Sequence, residues 1–284
     1  MAQEKWLIQP GETKVLDIEL VRALKVGLIG GQVDIIGHDE QSARIEVHSV
    51  SGKDLKISID GDTLEIDHPQ LRWDNFIEVF RGWRDNAKAD VSVLVPRDVA
   101  LKFGVVSASA LVSGLAGDSR LSTVSGEVVV DELSGSLELN SVSGELSVRN
   151  HTGRINAHTV SGDITATGDI TRFSVDGVSA DVFLDLNDTP DEITANSVSG
   201  DLTLRLANAG GCRYVLNTIT GKLLVDNTRI VGARGKAYTG TLGSLDGSWS
   251  DIRVNSVSGN VSMLRSAAAP GASAGTGSEA GATA

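Results

Sequence analysis

The 284-residue chain holds a single cysteine, two methionines and five prolines, and aromatic residues make up only 4% of it. One cysteine, Cys212, excludes an internal disulfide framework and a cysteine-based zinc site, and fits a reducing compartment. No stretch approaches the roughly 18 consecutive apolar residues that a membrane helix needs. The opening Met1-Ala2-Gln3-Glu4-Lys5-Trp6 lacks the basic and apolar regions of a secretion signal, so the expected address is cytoplasmic. Cations are scarce too: 25 Lys and Arg face 37 Asp and Glu, a net charge of -12. That balance argues against nucleic acid and against an anionic membrane surface, both of which need clustered Lys and Arg. With so few aromatic residues, the core must be made of Val, Leu and Ile in thin layers.

What the chain has instead is a phrase that returns. It reads Val106-Ser107-Ala108, Val124-Ser125-Gly126, Val142-Ser143-Gly144, Val160-Ser161-Gly162 and Val178-Ser179-Ala180, evenly spaced along the chain. The spacing then loosens slightly for Val198-Ser199-Gly200, Ile219-Thr220-Gly221, Tyr238-Thr239-Gly240 and Val257-Ser258-Gly259. A period of about 20 residues marks units too small to bury their own apolar face, which must therefore stack. A weaker copy falls midway, at Leu115-Ala116-Gly117, Leu133-Ser134-Gly135 and His151-Thr152-Gly153, so each period has two halves. Counting from Val124, apolar residues fall at plus four and plus six (Val128, Val130), the alternation of a strand with one face buried. Glycines mark turns that need a positive backbone angle. The predicted fold is all-β: a single-stack, β-helix-like parallel β-solenoid with coils of roughly 18–20 residues, the Val of each phrase pointing inward, and one short helical insert.

Residues 1–265 read as one domain. Residues 1–66 are its irregular opening coils, with strands over Thr13–Leu20, Leu24–Ile29, Gln32–Ile36, Arg44–Ser49, Leu55–Ile59 and Thr63–Ile66, and Val50-Ser51-Gly52 as a further copy of the phrase. Leu71–Lys88 breaks the pattern: Trp73, Phe76, Ile77, Phe80, Trp83 and Arg84 follow the spacing of an amphipathic helix. Trp73, Phe76, Phe80 and Trp83 are four of the eleven aromatic residues, and they are the expected partner-binding residues. Residues 90–265 carry the regular repeats, and 266–284, nearly all Ala, Gly, Ser and Thr, read as a disordered tail. The last coil, ending at Met263 and Leu264, has no evident cap, which points to self-association through a coil end.

Stacking would align equivalent residues in columns. Glu127, Glu145, Asp163, Asp181 and Asp201 would form an acidic column at the turn, read first as a solvated edge and second as a weak candidate metal site for cations such as calcium. Thr123/Ser125, Ser141/Ser143, Thr159/Ser161, Ser197/Ser199, Thr218/Thr220 and Ser256/Ser258 would flank the inward Val as outward pairs, bonding the local backbone. Asn140, Asn196, Asn217 and Asn255 would stiffen the turn. The five histidines show no metal spacing, and no nucleophile elbow or phosphate loop occurs, so no catalytic or cofactor-binding residues are assigned.

The phrase with its following carboxylate and aliphatic residue, as in Val142-Ser143-Gly144-Glu145-Leu146 and Val160-Ser161-Gly162-Asp163-Ile164, preceded by Val91-Ser92-Val93-Leu94-Val95-Pro96, resembles the bacterial putative-adhesin family of unknown function, also called the toastrack domain. The resemblance covers about residues 13–264 and implies a single-stack β-solenoid, an association with envelope-stress systems, and no catalytic residues. The expected function is a non-enzymatic scaffold or protein-interaction module with an unknown protein partner. The alternatives are an adhesin-like protein binding glycan or cations on the acidic or hydroxyl face, and a carbohydrate-active β-helix enzyme.

Overall fold

The computed structural model describes residues 4–69, 87–207, 210–226, 228–230 and 237–265. Among these the chain forms 24 strands and no helix. Eight strands precede the regular repeats: β1 (Glu4–Ile8), β2 (Lys14–Ile18), β3 (Ala23–Leu28), β4 (Gly31–His38), β5 (Ala43–Ser51), β6 (Leu55–Asp60), β7 (Thr63–Asp67) and β8 (Lys88–Pro96). The repeats supply β9 (Ala100–Val105), β10 (Ser109–Ser113), β11 (Ser119–Thr123), β12 (Glu127–Asp131), β13 (Ser134–Ser141), the long β14 (Glu145–Thr159) and β15 (Ile164–Ser179), β16 (Val182–Leu186), β17 (Glu192–Ser199) and β18 (Leu202–Leu206). The rest are β19 (Gly211–Thr218), β20 (Leu223–Val225), β21 (Thr228–Ile230), β22 (Tyr238–Leu242), β23 (Trp249–Ser256) and β24 (Val261–Arg265).

The strands form two ladders. The first runs β1, β6, β7, β3, β9, β11, β13, the second halves of β14 and β15, then β17, β23, β19 and β22. The second runs β2, β5, β8, β4, β10, β12, the first halves of β14 and β15, then β16, β18, β24, β20 and β21. Through the middle, neighbours are parallel and one repeat apart, so Leu121 lies between Phe103 and Leu139, and Val130 between Val112 and Val148. Inward side chains of both ladders meet in a single core of thin aliphatic layers, with Phe103 and Phe173 among the largest fully buried members. Each repeat adds about four such side chains, at roughly 1.5–3 kcal/mol apiece.

At both ends the stacking order departs from the order of the chain. β3 and β4 lie between β7/β8 and β9/β10, and β23 and β24 lie between β17/β18 and β19/β20. The final copy of the phrase is thus an interior rung, and Met263, expected at an open edge, is fully buried with strands on either side. Tyr238-Thr239-Gly240 is no rung at all: it lies in β22, which runs antiparallel to β19. A sequence period records spacing along the chain and says nothing about which strand lies next to which, so a late rung can occupy a place left open by an earlier one.

The opening segment is likewise more than irregular coils. All six expected strands are present, but β1, β2, β5 and β6 pair antiparallel, and they finish the ladders at that end as β21 and β22 do at the other. Val50-Ser51 belongs to antiparallel β5, beyond a bulge between Val47 and Ser49, and not to a corner of the stack. The helical insert expected over Leu71–Lys88 lies outside the described residues save for its end, where Lys88 opens β8.

The glycines of the phrase have a second cause besides turn geometry. Gly126 and Gly200 do take positive φ. Gly144, Gly162, Gly221 and Gly259 do not; there, an added Cβ would run into the carbonyl oxygen of the equivalent glycine on the next rung. Close stacking of corner on corner, rather than a left-handed backbone, excludes the side chain.

Candidate functional site

In the first ladder each strand runs on past its inward leucine before it reaches the corner. Alternation then puts Ser122 and Val124 on the face opposite the inward Thr123, although Val124 is itself covered, at 4% exposed. The other rungs repeat this: Thr123, Ser141, Thr159, Thr218 and Ser256 are buried, while Val160, Val178, Val198, Val257 and Ile219 are 48, 48, 50, 44 and 54% exposed. The expectation of an inward Val is therefore overturned from Val160 onward, as is that of an outward first hydroxyl, while the second hydroxyl of the pairs, as at Ser143, Ser161, Thr220 and Ser258, is exposed as expected. Its signal was in the sequence, since Leu137, Leu139 and Ser141 step by two and leave Val142 out of phase.

The inward hydroxyls do bond the local backbone. Ser141 Oγ accepts from the Gly144 amide and donates to the Gly144 carbonyl, both at 2.9 Å, and Thr159 does the same with Gly162 at 3.2 and 3.1 Å. Corner hydroxyls tie rung to rung: Ser143 Oγ donates to the Val124 carbonyl at 3.0 Å and Ser161 Oγ to that of Val142 at 3.1 Å. Thr123 Oγ1 differs, being buried without a partner.

Stacking turns these outward residues into two parallel columns. The apolar one runs Val124, Val142, Val160, Val178, Val198, Val257, Ile219, an order fixed by hydrogen bonds between rungs such as Ser179 N to Val160 O and Ser258 N to Val198 O. The polar one runs Ser122, Asn140, His158, Asp176, Asn196, Asn255, Asn217. In it Asn217 donates to Asn255 at 2.8 Å, Asn255 to Asn196 at 2.9 Å and Asn196 to Asp176 at 2.9 Å. Asn196, Asn217 and Asn255 thus link one strand to the next along the face, not within a turn as expected, while Asn140 donates to Glu138 on its own strand. His158 Nδ1 lies 3.5 Å from the other Asp176 oxygen.

Between the columns lies a groove. One stretch, of about 550 Å³, reaches from Lys102 and Arg120 to Val160 and Asp176. An adjoining stretch of about 440 Å³ continues from Thr159 and Asp176 to Val257. Arg120 meets Glu138 at 3.2 Å in a half-exposed pair of the kind that contributes little.

The acidic column does stack: Glu127 on Glu145, then Asp163, Asp181 and Asp201, followed by Asn260 and Lys222. Its aspartates are engaged by backbone. The Asp181 amide donates to Asp163 Oδ1 at 3.1 Å and the Asn260 amide to Asp201 Oδ1 at 2.9 Å, while the Asn260 side chain donates to both Asp201 oxygens. Among the described residues no group of three or more His, Cys, Asp or Glu side chains is placed to hold a metal ion. Trp73, Phe76, Phe80 and Trp83 lie outside the described residues.

Two histidines are fully buried. His68 Nδ1 accepts from the Ile29 amide at 3.3 Å, its Nε2 has no partner, and burial pushes its pKa down to about 4. His151 fills the midway position otherwise held by leucine, and burial lowers its pKa as well, opposed in part by the backbone of Arg154 and Leu133. Between pH 6.5 and 4 the unfolded chain therefore binds protons that the fold refuses, so stability falls with falling pH through that window. For His68 alone the loss is about 3 kcal/mol. Urea unfolding at neutral pH and at the acid end of the window should show this loss, and His68→Gln should remove the His68 share of it, about 3 kcal/mol, leaving that of His151. An unchanged dependence would show that burial of His68 does not set it.

Parallel strands stacked one repeat apart, with antiparallel strands at both ends, define a repeat protein of the toastrack class. The chain belongs to that family: the family model described as Toastrack DUF4097 matches residues 21–264. Among solved structures it is similar to a "putative lipid binding protein" from Parabacteroides distasonis, at 13% identity and a TM-score of 0.50, covering 92% of this chain and 99% of that one. It is also similar to a "putative adhesin" from the same species (14%, TM-score 0.42, 90% and 99%) and a "putative cell adhesion protein" from Clostridium sporogenes (14%, TM-score 0.33, 93% and 100%). At such identities the likeness is one of fold alone. No curated protein matches the chain. Among the described residues no helix is long and apolar enough to cross a membrane.

Proposed function

We propose that this Toastrack protein is a single-stack β-solenoid that works as a non-enzymatic interaction module in the cytoplasm, with the outer valine column and its groove as the binding face. One observation carries the reading: five β-branched apolar residues, Val160, Val178, Val198, Val257 and Ile219, stand half-exposed on successive rungs. Scattered exposed aliphatic residues need no explanation, but a continuous line of them beside a groove marks a recognition surface. The asparagine column beside it offers amide groups for hydrogen bonding at a regular spacing of about 4.8 Å.

Val178→Lys combined with Val198→Glu tests the reading, because opposite charges on adjacent strands spoil the apolar line without like-charge repulsion. Native mass spectrometry of the protein purified under non-denaturing conditions should show a bound species, protein or small molecule, that the double variant loses. Its thermal midpoint should stay within a few degrees of wild type, as expected for surface positions. Wild type and variant carrying the same species would place the binding face elsewhere.

A further inference from the structure

The groove is not uniform along its length. Lys25, Lys102 and Arg120 sit on successive strands β3, β9 and β11 in one outward column, a row of three cations in a chain of net charge -12. Lys102 and Arg120 line the groove where it begins. Beyond Asp176, the groove is lined by Gly177, Val178, Asn196, Val198, Asn255 and Val257, with no charge. Thr123 lines the cationic end, and its buried hydroxyl lacks the partner that Ser141 and Thr159 have in the same column.

Taking the valine column as the binding face, as above, we infer that its occupant is a single-chain anionic amphiphile, such as a long-chain fatty acid. The carboxylate head lies at Lys102 and Arg120, and the tail runs along Val142, Val160, Val178 and Val198. Arg120 exchanges its exposed partner Glu138 for the ligand carboxylate, at little cost because such pairs are weak in water. The dimensions agree: from the rung of Arg120 and Val124 to that of Val257 is five steps, about 24 Å at ~4.8 Å per step. An extended carbon chain advances about 1.2 Å per bond, so some twenty bonds fill that length. The apolar strip is one residue wide, too narrow on its own for the ~800 Å² per partner that a stable protein interface buries, and wide enough for one tail.

The test is isothermal titration of the full chain with decanoate, dodecanoate, tetradecanoate and hexadecanoate, each below its micelle concentration, and with 1-hexadecanol as the uncharged control. One site per chain is expected, with affinity rising about fourfold per two added carbons for a half-buried tail. Lys102→Gln with Arg120→Gln should weaken hexadecanoate at least tenfold, to the level of the alcohol, and Val178→Lys with Val198→Glu should weaken it as much. Both variants carry exposed changes, and their β-sheet circular dichroism serves as the folding control. Equal binding by wild type and either variant would overturn the inference, as would equal affinity for acid and alcohol or no gain with tail length. Binding to anionic vesicles without uptake of monomeric hexadecanoate would overturn it too, by placing the column at a bilayer surface. If hexadecanoate does not bind but native mass spectrometry still shows a species that the valine variant loses, the amphiphile is wrong and the interaction face stands. If the variant loses nothing in either experiment, both fail.

Discussion

A chain ending at Gly247 is expected not to reach the native state, although it loses only the last two strands, β23 and β24. An ordinary stack read in sequence order would merely be shortened by such a cut. Here β23 and β24 are the strands on which β19 and β20 rest, so the truncation removes an interior layer and leaves β19 and β20, with β22 and β21 paired antiparallel on them, without a parallel neighbour. The side chains withdrawn from the core include Ile252, Val254, Val261 and Met263, all 0–1% exposed. At roughly 1.5–3 kcal/mol each, their loss alone matches the roughly 5–15 kcal/mol that holds a typical domain together. The expected outcome is insoluble protein, or a soluble remnant whose amides exchange freely from Gly211 onward. Hydrogen exchange read by mass spectrometry would show it. Protection of β19 equal to that of the full chain would mean that it does not depend on β23.

The second large effect is expected from Gly162→Val. Gly162 is buried at the corner, with no positive φ, and any Cβ there overlaps the Gly144 carbonyl oxygen while approaching Ser141 Oγ at 3.0 Å. The main obstacle is backbone, which cannot turn aside as a flexible side chain does. A β-branched side chain should force the rungs apart and cost more than about 3 kcal/mol. Gly162→Ala should be milder, because Ala108 and Ala180 occupy the same column and show that the corner adapts to an isolated methyl. Gly247→Ala, where a Cβ meets nothing within 4 Å and only φ of +97° opposes it, should cost about 1 kcal/mol. Urea midpoints for the three variants give the order; a Gly162→Val protein as stable as Gly247→Ala would refute the stacking explanation.

The recurring phrase and the alternation of Val128 with Val130 were enough to read the strands, their parallel sense and the one-repeat register, because those features depend on residues near each other in sequence. Two things were out of reach. The slots taken by β3/β4 and β23/β24 depend on pairings more than one repeat apart along the chain, such as Tyr214 with Ile252 and Leu24 with Leu101. Nothing local distinguishes an interior rung from a terminal one. The antiparallel strands at the two ends alternate as the others do, and alternation carries no sense of direction. The outward valine face was legible and misread: phase counting through Leu137, Leu139 and Ser141 puts Val142 outside, but valine beside glycine suggests core when taken alone. The acidic column was read in the right place, while its engagement by amides of the following rung depends on a backbone approach that residue types do not disclose.

The late rung also sets a clock on synthesis. When Leu206 leaves the ribosome, β17 and β18 present a full row of unpaired amides and carbonyls, and the strands that will cover them are complete only at Arg265. At roughly 5–20 residues per second, the intervening ~60 residues hold that edge open for about 3–12 s. β19 and β20, made within that interval, are the nearest strands able to take the wrong place, so the nascent chain must keep a vacancy for a segment that does not yet exist.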